Sequence, residues 1–431
     1  MDLLLVFVSL LAFYLAWNLG ANDVANSMGT SVGSKAVTLR QALAIAGVLE
    51  FTGAVLFGKN VSQKLATGVV SPAAFIEHPN LFVLGMLAVL IACSVWLNVA
   101  TAFGLPVSSS HAVVGAIAGF GAIAISPQVV NWQSLSTISL TWVVTPFVSG
   151  VVAASFYWLI RRNILTQAEP LTRLNEWIPW LSAALCAVFG VIVLPIISQP
   201  ITNWLGDRLG HLLPAYDLPI LLGSLAAIGL SWANWRSLAA ANQLETVPPY
   251  QNLTQPAQAL TERLFARFQL VSACGVAFAH GSNDVGNAIA PVAAIVYTHT
   301  TGLVPISGVD VPYWLLVLGG VGIVSGLAVW GKNVIATIGE GIIALLPSAG
   351  FCAELATATT VLIASRLGFP ISTSHALVGG VVGIGLVQNW RSLKLATLRN
   401  VVMAWFVTIP VSAGLSALVF SLLRFMLSRT S

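Results

Sequence analysis

Charge is scarce in this chain: Asp, Glu, Lys and Arg together make only 7% of its 431 residues, against ~25% in an average soluble domain. With 57% hydrophobic residues and a mean hydropathy of +0.90, that shortage excludes a soluble globular protein. Cysteine is equally rare. Cys93, Cys186, Cys274 and Cys352 all fall in apolar segments without a C-x-x-C pair, so neither a disulfide framework nor a zinc site is indicated. The apolar runs show no alternation of the kind a transmembrane barrel needs, which leaves helices. Met1-Asp2 offers no basic n-region, so no cleavable signal peptide is expected and the first apolar run should stay as a span.

At ~20 apolar residues per helical crossing, about twelve spans are expected: 2–19, 41–57, 81–102, 107–126, 137–160, 178–198, 216–236, 268–297 with a break, 312–330, 349–366, 371–388 and 398–425. Basic residues are distributed unevenly among the connections. With the amino terminus outside, the inside loops receive twelve of the eighteen, Arg161, Arg162, Arg263 and Arg267 among them, in line with the positive-inside tendency. Both termini are therefore expected on the extracytoplasmic side of the cell membrane. The segment 241–267, with Pro248-Pro249 and several Gln and Asn, reads as the one long hydrophilic linker.

What the chain does contain is polar sequence repeated inside apolar sequence. Asn22-Asp23-Val24-Ala25-Asn26 returns as Asn283-Asp284-Val285-Gly286-Asn287, and Gly58-Lys59-Asn60-Val61 as Gly331-Lys332-Asn333-Val334. Gly104 to Ala112, containing Pro106-Val107-Ser108-Ser109-Ser110-His111, is echoed by Gly368 to Ala376, containing Pro370-Ile371-Ser372-Thr373-Ser374-His375. Asn131-Trp132-Gln133-Ser134-Leu135 recurs as Asn389-Trp390-Arg391-Ser392-Leu393. Four blocks in one order define repeat one over 1–165 and repeat two over 268–431, with two central spans and the linker in 166–267. Seven spans precede the second repeat, so it should enter the membrane inverted, with a polar site between the halves.

Each block has its own chemistry. A carboxylate flanked by amides is costly at membrane depth and marks a functional site. Gly20 and Gly281 beside the Asn-Asp pairs suggest broken helices, whose unwound backbone is tolerated where it lines a cavity. Asn and Asp oxygens suit a hard cation; the alternative is that each Asp caps a half-helix or bonds a neighbour. The Pro-x-Ser-x-Ser-His blocks place hydroxyls where a helix starts and its first N–H groups lack partners, which favours an anion. Simple N-capping by Ser108 and Ser372 is the competing reading. His111 and His375 have packing, capping or anion-donating roles open to them. Glu50 and Glu354, which do not align in the repeat, are suited to hold a cation, carry a proton or pair with a polar neighbour. Lys59 and Lys332 read first as solvent-facing helix-end anchors.

Sign of charge decides between functions. An anion beside Asp23 and Asp284 is repelled by ~4 kcal/mol per charge pair at about 4 Å and an effective dielectric near 20. Cations or protons taken up by these acids turn the repulsion into attraction, so anion and cation raise each other's affinity.

At these residues the chain closely resembles the inorganic phosphate transporter family. The resemblance rests on Gly20 to Ser27, Gly281 to Asn287 and both Pro-x-Ser-x-Ser-His blocks, and it covers both repeats. It implies an all-α polytopic membrane protein built from two inverted-topology repeats with broken helices, importing inorganic phosphate coupled to Na⁺ or H⁺ by alternating access. By position, it implies a phosphate and ion set of Asn22, Asp23, Asn26, Ser108, Ser109, Ser110, Asn283, Asp284, Asn287, Ser372, Thr373 and Ser374. The coupling cation is expected at Asn22, Asp23, Asn283 and Asp284, with Glu50 and Glu354. Two departures stand out: the linker is short, unlike the large loop of animal relatives, and Ser110 and Ser374 stand where relatives commonly carry Thr.

No prosthetic cofactor and no nucleic acid are expected. The partners are phosphate, Na⁺ or H⁺, the lipid bilayer and, as an option, a second copy in a homodimer. A sulfate symporter of the same fold is the first rival, and an ion channel lined by the same polar groups the second. A hydrolase built on Ser110 and His111 is disfavoured, because adjacent helical residues diverge and the duplication would give two nucleophiles. The chain is not expected to be an enzyme.

Overall fold

In a bilayer each backbone polar group must be satisfied within its own segment, so long apolar runs become helices. The computed structural model describes residues 2–103, 105, 107–209, 214, 216–241, 256–338, 343 and 345–429. Among them are thirteen α-helices and no strand: α1 (Leu3–Gly33), α2 (Leu39–Gly68), α3 (Pro79–Ala102), α4 (Ser109–Ala124), α5 (Trp132–Ile160), α6 (Pro170–Ile192), α7 (Leu194–Leu209), α8 (Asp217–Ala241), α9 (Pro256–Thr301), α10 (Tyr313–Ile338), α11 (Pro347–Arg366), α12 (Thr373–Asn389) and α13 (Leu395–Ser428). Of the described helices, α1, α2, α3, α5, α6, α8, α10, α11 and α13 are long and apolar enough to cross a membrane. The protein is an all-α, multi-pass membrane protein.

The expected spans differ from these helices in three places. Residues 107–126 and 371–388 do not give full crossings: α4 and α12 have 16 and 17 residues, about 24–26 Å at 1.5 Å per residue, short of a ~30 Å hydrocarbon core. The run 178–198 straddles a junction at Val193, where α6 ends and the short helix α7 begins. The break expected within 268–297 is absent, since α9 is one helix of 46 residues. Of the linker, 242–255 lies outside the described residues, as do Gly104 and Pro106.

Packing is set by small residues. α1 lies against α10, and α2 against α9. A Cβ on Gly20 would sit 1.9 Å from the Ile323 carbonyl oxygen of α10, and one on Gly281 would sit 2.0 Å from the Glu50 carbonyl oxygen of α2. Glycine is required at both points because two backbones touch there. α4 packs on α13 and α12 on α5, while α3 with α4 and α11 with α12 form helical hairpins. One apolar core joins α1, α2, α3, α4, α9 and α10; a second joins α5, α6, α11, α12 and the start of α9. The four cysteines are free and lie in α3, α6, α9 and α11.

Candidate functional site

Asn22, Asp23 and Asn26 lie on one stretch of α1, and Asn283, Asp284 and Asn287 on the corresponding stretch of α9; all six are buried. Both helices run unbroken through these residues. The interruption expected at the Gly-Asn-Asp motifs is thus corrected: those glycines serve helix contact. Helical structure is lost instead in the hairpin turns, between Ala102 and Ser109 and between Arg366 and Thr373.

The hairpins bring their hydroxyls to the aspartates. Ser108 and Ser372 are N-caps, each accepting from the backbone N–H three residues on, of His111 and His375, at 3.3 Å. The capping reading therefore holds for these two, and the first turns beyond them reach the site. Thr373 donates to Asp284 Oδ2 at 3.1 Å, and the Ser109 hydroxyl stands beside Asp23. Asn287 Nδ2 donates to the Ser109 and Ser110 hydroxyls at 3.3 and 3.4 Å. Ser110 also donates to the Ile371 carbonyl at 2.8 Å, tying one turn to the other, and Ser374 shares a 2.8 Å hydrogen bond with Ser372. Asn22 donates to Thr101 at 2.7 Å at the end of α3, and Asn283 to Ser365 at 3.1 Å near the end of α11. Asn26 donates to Asp23 Oδ1 at 3.3 Å.

Side-chain ligand atoms of Asp23, Asp284 and His280 lie within 4.8 Å of one another. Two carboxylates far apart in sequence thus meet in the interior. Among the described residues, Asp23 Oδ2, Asn283 Oδ1, Asp284 Oδ1 and Asn287 Oδ1 are buried and find no hydrogen-bond partner. Unpaired oxygens of this kind are rare and costly in a folded interior, and oxygen donors of this type fit a hard cation such as Na⁺.

The two glutamates have different surroundings. Glu50 accepts from Ser27 at 2.8 Å and faces His280 Nδ1 at 3.2 Å, while His280 Nε2 lies 2.8 Å from Asp284. His280 therefore bridges Glu50 to the aspartate pair. Glu354 makes its contacts elsewhere, accepting from Thr30, Ser31, Gln269 and Ser272 at 2.6–3.0 Å. Lys59 is paired with the exposed Asp310 at 2.7 Å, away from these contacts, and the Lys332 side chain lies outside the described residues.

His280, Thr101 and Ser365 join the site through the fold rather than through the repeated motifs. Thr101 and Ser365 each stand three residues before the repeated Gly104 and Gly368, a signal in the spacing. His280 precedes Asp284 by four, one helical turn on the same face, but Leu19 occupies the matching place in the first half.

Comparison with known proteins follows the same residues. The profile of the Phosphate transporter family matches residues 19–416, from the first aspartate motif to the last helix. The chain is 40% identical over 434 residues to a protein of Chlamydia trachomatis described as "Putative phosphate permease", covering 98% of this chain and 99% of that one. It is 37% identical over 424 residues to a protein of the same description from Pyrococcus abyssi, covering 98% of each. A solved structure described as the sodium-dependent phosphate transporter superposes with a TM-score of 0.86 at 35% identity, covering 98% of this chain and 100% of that one. Since the match runs through both aspartate motifs and both hairpins, this chain belongs to the phosphate transporter family and is a membrane transporter rather than an enzyme.

Proposed function

We propose that the protein imports inorganic phosphate in symport with Na⁺ by alternating access, with the substrate held between the α4 and α12 N-termini and the Asp23–Asp284 pair. The observation that carries this reading is the juxtaposition of four unpartnered buried oxygens with two hydroxyl-bearing helix starts. Each helix start presents partial positive charge and free N–H groups to an oxyanion. Each unpartnered carboxylate oxygen needs a cation or a donor. Na⁺ at the Asp and Asn oxygens supplies the first, and a protonated phosphate oxygen supplies the second, which sulfate at neutral pH does not. The sodium-dependent description of the superposed structure favours Na⁺ over H⁺.

The packing supports an inverted-repeat arrangement of 1–165 and 268–431, with 166–267 as an insertion. Exchanging α1 with α9, α2 with α10, α4 with α12 and α5 with α13 maps the α1–α10 contact onto α9–α2, and the α4–α13 contact onto α12–α5. In this reading Asn22, Asp23, Asn26, Asn283, Asp284 and Asn287 hold the ions, and Ser109, Ser110, Thr373 and Ser374 bind phosphate. Both termini lie outside the cell membrane. Proton coupling is the second reading, and the His280 bridge between Glu50 and Asp284 favours it. Uptake of labelled phosphate into proteoliposomes under imposed Na⁺ or H⁺ gradients separates the two. Saturable uptake driven by Na⁺ and resistant to excess sulfate is expected; uptake that ignores both gradients, or that sulfate abolishes, overturns the proposal.

A further inference from the structure

Behind the hydroxyls of the two hairpin turns lies a column of four buried rings with no part in the proposal so far. His111 sits on α4 one residue after Ser110, and His375 on α12 one residue after Ser374. Their rings face each other with centroids 4.7 Å apart and planes at 77°. Trp142 of α5 packs on His111 with centroids 3.8 Å apart and planes at 38°, and Trp405 of α13 packs on His375 at 3.6 Å and 62°. All four residues are buried.

Hydrogen bonds fix both ends of the column to the hairpins. His111 Nδ1 donates to the Trp405 carbonyl at 3.2 Å, and Trp142 Nε1 donates to the Pro370 carbonyl in the second hairpin turn at 3.2 Å. Each tryptophan thus comes from the helix that follows one hairpin and is bonded to the chain of the other half. The arrangement is repeated within the chain, as His111 and His375 share a motif and Trp142 and Trp405 stand on the matching helices α5 and α13.

Two helix N-termini brought tip to tip repel, since each carries about half a positive charge. Closely packed rings, two contacts edge to face and one tilted, fill the space between the turns and favour one spacing. We propose that His111 and His375 are positioning residues: the Trp142–His111–His375–Trp405 column is a spacer that sets the distance between the two hydroxyl-bearing helix starts, and with it the size of oxyanion the site accepts. This deepens the phosphate reading and rests on it. The rings' proposed part is to hold Ser109, Ser110, Thr373 and Ser374 in register.

The test pairs transport with a distance measured without substrate. In proteoliposomes, His375→Ala is expected to raise the phosphate KM about tenfold, within the range that a misplaced binding group costs. It should also shift the ratio of arsenate to phosphate uptake toward arsenate, the larger tetrahedral anion. His375→Phe, which returns a flat ring to the column, should bring KM back to within about threefold of the parent, a KM effect that a generally weakened fold would not restore. Spin labels on cysteines introduced at the exposed Leu105 and Leu367, one on each turn, should give a narrow distance distribution in the parent and His375→Phe and a broad one in His375→Ala. If His375→Ala is not monodisperse, His375→Leu replaces it with the same expectations. An unchanged KM and distance width in the Ala or Leu variant overturns the spacer, and so does a KM rise that Phe leaves in place. A parent protein that takes up no phosphate sinks the transport reading instead, and the spin-label distances then decide the spacer alone.

Discussion

The two aspartate motifs occupy matching places on α1 and α9, yet their surroundings differ in charge. Asp284 has the His280 ring one turn below it, and His280 has Glu50 on its other side. Asp23 has Asn26 and Ser109, and where α9 carries His280, α1 carries the buried Leu19. The position that matches Glu50, counted by the offset between the two Gly-Lys-Asn blocks, is Ile323. The two motifs thus share carboxylates and amides, and a His–Glu pair adjoins only one of them. The shared part fits binding that needs both halves, and the unshared part gives Asp284 a partner that Asp23 lacks.

The largest expected effect tests the shared part. Asp23→Asn and Asp284→Asn should each lower gradient-driven phosphate uptake at least about a hundredfold, the upper end of coupling between sites, with insertion and monodispersity retained. Because Asn keeps shape and one oxygen, the loss reports charge. Normal uptake by either variant would remove that aspartate from the mechanism and break the equivalence of the two motifs.

The unshared part is tested by making α9 resemble α1. His280→Leu removes the group that Glu50 faces in the interior, and breaking a buried pair from one side costs ~3–5 kcal/mol. A clear fall in the thermal unfolding temperature in detergent is expected. Adding Glu50→Ile should recover much of it, since an apolar pair of similar volume often replaces a buried ion pair without loss. A single variant as stable as the parent would mean that the bridge contributes no stability.

The contrast also marks what the sequence made legible. Long apolar runs are enough to require helices, and duplication is enough to pair Asp23 with Asp284 and the Ser109 turn with the Thr373 turn, because a repeat is visible without knowing what touches what. Gly20 and Gly281 are ambiguous in the sequence because glycine serves both helix breaks and close contacts. Only the Ile323 and Glu50 carbonyls on other helices distinguish the two. His280 is hidden for the opposite reason: repetition does not mark a residue whose counterpart is Leu19. The lengths of α4 and α12 were hidden too, since apolar residues on a buried 16-residue helix look the same as those on a lipid-facing span.

Gly20→Ala and Gly281→Ala probe the packing that the two halves share. Their added methyls would fall 1.9 and 2.0 Å from a carbonyl oxygen of the facing helix, and α1 with α10, or α2 with α9, would have to part. Overpacking of this kind costs about 1–3 kcal/mol. Similar losses in unfolding temperature are expected for the two variants. A tolerated Gly281→Ala beside a damaging Gly20→Ala would show that the α2–α9 contact yields while α1–α10 does not.

The smallest effect belongs to an exposed ion pair that looks strong by distance. Lys59 Nζ lies 2.7 Å from Asp310, closer than His280 to Glu50 at 3.2 Å, but its partners' side chains are 42% and 82% exposed where those of His280 and Glu50 are 0% exposed. Water already solvates Lys59 and Asp310 when they separate, so the pair gains little from meeting, and salt screens what remains. Lys59→Gln should change stability by no more than about 0.5 kcal/mol, with a sodium-driven phosphate KM close to that of the parent at moderate ionic strength. If Lys59→Gln instead raises KM steeply at low salt and not at high salt, the lysine acts on the approaching anion through its field.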